Sequence, residues 1–167
     1  MVVDMKMGQT LTELKNKIML KIISDQELVK ALVVNTEDFL DTITTNEQNQ
    51  LIQSPIELLR TQIFPYRSID LPVEAEKTYI TCAFVNFRKV SNVYKNGIVY
   101  FYIILPRNIE KTSYGIRYDF IADKLEELFE DGNIGAFELD ERGDIDIGDL
   151  KYLGHYVRFK IKDFYGW

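Results

Sequence analysis

The sequence is poor in the residues that most often carry chemistry. Its single cysteine, Cys82, excludes an intramolecular disulfide and points to a reducing cytoplasm as the place of synthesis. Its single histidine, His155, excludes a histidine-rich zinc site, and no CxxC pair is present to replace one. Cys82 and His155 formally offer a thiol and a base, but a lone cysteine in an apolar strand is usually an inert core residue. No G-x-S-x-G, Walker A or G-x-G-x-x-G sequence occurs. Long apolar runs are missing too: Ile103-Ile104-Leu105 falls far short of the ~20 residues a membrane helix needs. The segment from Met1 to Lys6 lacks the continuous apolar stretch of a signal peptide. These absences predict a soluble protein that is not an enzyme, binds no cofactor or metal and spans no membrane.

What is present suits a folded chain. Apolar residues make up 46% of the 167 and charged residues 28%, within the range of globular domains. A chain of this length buries roughly 68–70% of its unfolded surface. The net charge of −6 is unevenly spread. Between Asp119 and Asp149, 12 acidic residues face only Lys124 and Arg142, a local balance of −10 that leaves +4 for the remainder. Wrapping DNA needs a basic footprint, so this asymmetry argues against it. The stretch reads either as a solvated helix face followed by a polar hairpin, or as an acidic surface that repels a polyanion or meets a basic partner.

Within that stretch, Asp140 to Asp149 invites a calcium reading. Asp144 and Asp146 fit the first two ligand positions of an EF-hand loop, but the third falls on Gly148 and the twelfth on His155. A hairpin loop is the simpler reading. The ten Tyr and ten Phe raise the possibility of base stacking, since Lys89, Lys95, Arg107, Lys111 and Arg117 flank the aromatic strands. Core and interface roles account for most of these rings.

The order of elements reads as helices, then ββ, α, ββ. Thr10-Leu11-Thr12-Glu13 has the form of a capping box, followed by Leu11, Leu14, Ile18 and Ile22 at helical spacing. Ser24 to Glu27 repeats the cap before Leu28, Ala31 and Leu32. Thr42 to Gln53 is polar and reads as a loop or weak helix, and Ser54-Pro55-Ile56-Glu57 as the start of a short helix ending before Pro65. Thr78–Val90 and Ile98–Leu105 are rich in β-branched and aromatic residues, with Asn96-Gly97 as the hairpin turn between them. Tyr114 to Glu130 is the strongest helix, with Tyr118, Ile121, Ala122, Leu125, Leu128 and Phe129 on one face and Asp131-Gly132-Asn133 ending it. Ile134–Leu139 and Lys151–Ile161 read as two further strands joined by the acidic loop. The expected fold is α+β, a mostly antiparallel sheet packed on one long helix, with a helical segment over residues 1–53 and the core over 54–167.

Both faces of the first hairpin are apolar: Ile80, Cys82 and Phe84 on one, Tyr79, Ala83, Val85 and Phe87 on the other. The long helix covers one face. The other is left to the N-terminal helices or to a neighbouring subunit.

Two stretches resemble the tail-terminator and related neck proteins of tailed phages. Tyr114-Gly115-Ile116-Arg117-Tyr118-Asp119-Phe120-Ile121-Ala122 is similar to that family's Arg-x-Asp pair preceding a helical Ile-Ala, and Tyr152-Leu153-Gly154-His155-Tyr156 leads into a final strand ending near Asp163-Phe164. Together these cover about the last ninety residues. The resemblance implies a virion subunit assembled in the bacterial cytoplasm into a hexameric ring, seated on the tail tube protein and receiving the head-completion or connector protein, with DNA passing through without specific binding. The N-terminal helices would dock the connector or a contractile sheath, or cover the sheet. Interface residues on this reading are Tyr79, Val85, Phe87, Val99, Phe101, Arg117, Asp119, Asp140, Asp144 and Asp146. Another tail-assembly component, or a small regulatory or nucleic-acid-binding domain, are the competing classes.

Overall fold

The computed structural model describes residues 2–42, 55–67, 69–89 and 94–165. Its fold is α+β, as the residue pattern predicts. Helices α1 (Val2–Ser24) and α2 (Gln26–Val33) precede a five-stranded sheet built from β1 (Ile63–Phe64), β2 (Tyr79–Lys89), β3 (Tyr94–Pro106), β6 (Ala136–Ile145) and β7 (Tyr152–Tyr165). A two-stranded ribbon of β4 (Lys111–Thr112) and β5 (Gly115–Ile116) leads into helix α3 (Arg117–Phe129). The sheet order is β1-β2-β3-β7-β6, antiparallel throughout except for the short parallel β1–β2 pair.

The three helices lie on one face of the sheet, because their apolar stripes and the alternate residues of the strands need one another. Leu14, Ile18 and Ile22 of α1, Leu28 and Leu32 of α2, and Ile121, Leu125 and Phe129 of α3 join Ile80, Cys82, Val99, Phe101, Ile103, Val157, Phe159 and Ile161 in one buried cluster. Phe101 sits at its centre, with ring centroids 5.1 Å from Phe129 and 5.8 Å from Phe159. Full burial of each such side chain contributes about 1.5–3 kcal/mol, so this layer supplies most of the fold's stability.

Several local expectations are corrected. Helix α1 runs through Thr10, which is helix interior and no cap. In α2 the N-cap is Asp25, one residue later than the Ser24 box suggests; its carboxylate accepts from Leu28 N at 2.8 Å, while the Ser24 hydroxyl donates back to Lys21 O. The helix expected after Ser54 is a single 3₁₀ turn, Pro55–Leu58, which gives way to β1. The reading of Thr42 to Gln53 falls, from residue 43 onward, outside the described residues.

The Asn96-Gly97 pair is not the tip of the hairpin. Both residues lie inside β3, where Asn96 faces Arg88 of β2 and Gly97 faces Ile161 of β7. Glycine is needed there because a Cβ would lie 2.6 Å from the Phe87 ring. The acidic stretch is also no loop in its first half: β6 continues to Ile145, held by polar side chains where a sequence reading sees no apolar alternation.

Candidate interaction surface

Arg117 is the largest fully buried side chain among the described residues. Burial of a guanidinium demands that its donors be satisfied, and here main-chain oxygens do it. Nε donates to Ile109 O at 3.0 Å, one terminal nitrogen to Ala31 O at 2.9 Å and Val34 O at 2.8 Å, and the other to Thr36 O at 2.9 Å. Ala31 and Val34 stand at the carbonyl end of α2, where a cation is favoured by the helix dipole. The Phe39 ring lies 4.7 Å beneath the guanidinium and packs edge-on against Tyr114 and Phe120. Loss of water pushes the guanidinium down to about 10. Arg117 is thus a rivet between α2, the segment after it and the start of α3, and not a surface residue.

The opposite sheet face is built differently. At one end Tyr79, Ile104 and Tyr152 form a small second cluster under Phe64, Ile69, Leu71, Ala75 and Ile147. Tyr152 pins the covering segment by donating to Pro72 O at 3.2 Å, and Lys151 Nζ does the same to Val73 O at 2.6 Å. Where that strap ends, Tyr102 of β3, buried with the Arg67 guanidinium 5.3 Å from its ring, stacks on Tyr100 with ring planes 7° apart, and Tyr156 of β7 lies 6.0 Å from Tyr100. Arg158 ties the rings to the edge strand: it donates to the Tyr100 hydroxyl at 3.1 Å, to Asp140 through Nε at 2.5 Å, and pairs with Glu141 at 3.1 Å.

Charge alternates across the two outer strands. Lys160 reaches Asp140 at 3.0 Å and Lys162 reaches Glu138 at 2.8 Å. The Lys160 and Arg158 hydrogen bonds hold Asp140 below the usual carboxylate range, and Lys162 does the same for Glu138. The bond to Tyr100, with the pair to Asp140, raises Arg158 above its already high ordinary value. On the helix side of the same strands, Arg142 bridges Asp123 at 2.9 Å and Glu126 of α3. His155 stacks on Tyr118, with centroids 3.6 Å apart, and meets Asp144 at 2.5 Å. Salt bridges therefore fasten the polar strand β6 both to β7 and to α3.

The residues expected at an interface separate into two groups. Val99 and Phe101 are fully buried among the helices, because their parity on β3 points them to the sealed face. Tyr79 is buried beneath the strap. Phe87 leaves the face of Val85: a bulge between Val85 and Arg88, with Asn86 at φ 54°, turns it toward the helices, 6.1 Å from Phe84. Val85, 37% exposed, remains on the open face, and Asp119, Asp144 and Asp146 are exposed while Asp140 is half-buried. The residues that organise the open face, Tyr100, Tyr102, Tyr156 and Arg158, escaped the sequence reading. Their signal was parity, tyrosines two apart on β3 opposite Tyr156 and Arg158 on β7.

These observations define an α+β protein whose sheet is sealed by helices on one face and carries a tyrosine and ion-pair lattice on the other. The chain belongs to the YomW family, whose model matches residues 25–161, from the cap of α2 to the last buried residue of β7. The family's name is phage-derived, of the SPbeta type, and points to a phage protein. No curated protein matches the chain. No helix among the described residues is long and apolar enough to cross a membrane.

Proposed function

We propose that this protein is a non-enzymatic structural subunit of a tailed phage, a ring-forming tail terminator that closes the head-proximal end of the tail tube and joins it to the neck. The observation that carries the reading is the division of the sheet. One face is closed by the chain's own helices, while the other, with Val85, Tyr100, Tyr156 and the Arg158 lattice, is covered among the described residues only at one end. Membership of a phage-derived family supports the setting, and the Arg117–Asp119 and Tyr152–Tyr156 stretches support the particular part. Arg117 acts within the subunit on this reading, as the fastening that presents α3 and Asp119 at a fixed angle.

The partners are further copies of the chain in a closed ring, the last ring of tube protein on one side, and the connector on the other. The acidic surface from Asp119 to Asp149 lies toward passing DNA or a basic neighbour, and like charge keeps the polyanion from sticking. Light scattering and negative-stain imaging of the purified protein, alone and mixed with assembled tubes, test the reading. Closed rings in solution or caps at one tube end are expected. A monomer in both samples overturns it.

A further inference from the structure

We infer that copies of this chain join edge to edge, the open edge of β6 in one subunit pairing antiparallel with the open edge of β2 in the next. The inference deepens the ring reading above and rests on it for closure; its surfaces come from the sheet itself. Strand β6 ends the sheet, and among the described residues no strand lies beyond it. At the other end, β1 covers β2 only at Ile80 and Thr81, and from Cys82 onward no described strand pairs with that side. Both edges therefore present rows of main-chain donors and acceptors ready to pair.

Strand direction allows the junction. Steps from β2 to β3, β7 and β6 are all antiparallel, so β6 runs opposite to β2. Rotation about an axis along the strands preserves direction, and β6 then meets the next β2 as an antiparallel neighbour. Charge selects this junction over a two-fold one. Strand β7 carries Arg158, Lys160 and Lys162 against Glu138, Asp140 and Glu141 of β6, and β2 carries Arg88 and no carboxylate. A β2 placed beyond β6 continues the alternation of sign, whereas a second β6 there sets carboxylates opposite carboxylates, which is destabilising. A junction between unlike edges is heterologous and closes into a ring when the rotation permits. Bulges at Val85/Arg88 and Leu139/Glu141 leave Cys82–Val85 and Glu141–Ile145 as the regular stretches that pair.

Cysteine cross-linking of the full chain tests the junction. Ala83→Cys or Val85→Cys on β2 is combined with Glu138→Cys or Glu141→Cys on β6, and the four double variants are oxidised beside the four singles. Native Cys82 is fully buried and stays out of the reaction. A covalent ladder that stops at the ring order in at least one double variant, with every single variant running as monomer, is the expected result. Dimers from a single β6 variant show a two-fold junction and overturn the proposal. Rings in the microscope without a ladder in any double variant overturn the junction alone and leave the ring reading standing. Monomer in solution and at tube ends overturns both.

Discussion

The two faces of one sheet are made by different physics. On the helix side, Phe101, Phe129 and Phe159 interlock with aliphatic side chains out of contact with water. On the other side, Tyr100 is held by Arg158, itself paired with Asp140 and Glu141, and Tyr156 lies beside Tyr100, a set of polar contacts that works equally well half in water. The first face stores stability and the second stores geometry. A sheet face left open to solvent cannot be a bare hydrophobic patch without risking aggregation. Rings with hydroxyl ends, braced by ion pairs, keep apolar area compatible with solvent.

Breaking the sealed face should therefore cost far more than changing the open one. Phe101→Ala removes the ring at the centre of the cluster, and chemical denaturation should show a loss of about 3–5 kcal/mol. Val85→Ser, on the open face of the neighbouring strand, should stay within about 0.5 kcal/mol in the isolated chain. Equal losses from the two variants would mean that the faces are not distinct in the way described.

That contrast also divides what the sequence made legible. The stripe of Leu14, Ile18 and Ile22 and the apolar face of α3 were readable because helical periodicity repeats over several turns. Strand β6 beyond Leu139 was not, since its pairing rests on Arg158, Lys160, Asp123 and Glu126 in distant elements, and such partners leave no local period. Phe87 was assigned the wrong face because one left-handed residue, Asn86, resets the alternation. Arg117 draws notice as a motif residue, yet three of its four partners are carbonyls 81 to 86 positions away in α2 and the segment after it, and a carbonyl has no sequence signature.

Arg117 makes the second prediction, somewhat smaller than the first. Arg117→Met keeps most of the apolar stem but strands the carbonyls of Ala31, Val34, Thr36 and Ile109. Orphaned buried acceptors cost roughly 1–3 kcal/mol each, and entry of water relieves part of that, so a loss of about 2–4 kcal/mol is expected. Arg117→Lys should recover only a fraction, because a point-like ammonium cannot span carbonyls on separate segments as the planar fork does. Full rescue by lysine would assign the residue a charge role and not a bridging one.

Dependence on pH sharpens the comparison with the gentlest perturbation. Tyr79, Tyr102 and Tyr152 on the open side and Tyr118 of α3 are all raised above their ordinary value, first of all by burial. A group with a raised folded-state pKa binds its proton more tightly in the native state. Its stabilisation is complete below the unfolded value near 10 and is lost as pH climbs through the folded one. Arg117 acts in the opposite sense, since its depressed value favours the folded state as pH passes from about 10 toward the ordinary arginine range, but the raised tyrosines outnumber it. Stability should therefore fall above pH ~10, with tyrosine ionisation lagging behind that of the unfolded chain. At the acid end, Asp140 and Glu138 have depressed values, so their contribution is present above the ordinary carboxylate range and disappears as pH drops through the folded values. Those pairs are solvent-facing, and raising the salt concentration should flatten the acid limb while leaving the alkaline one almost unchanged. An alkaline limb that salt flattens just as much would place the tyrosines in open water, and the open face would then lack the packed lattice that distinguishes it.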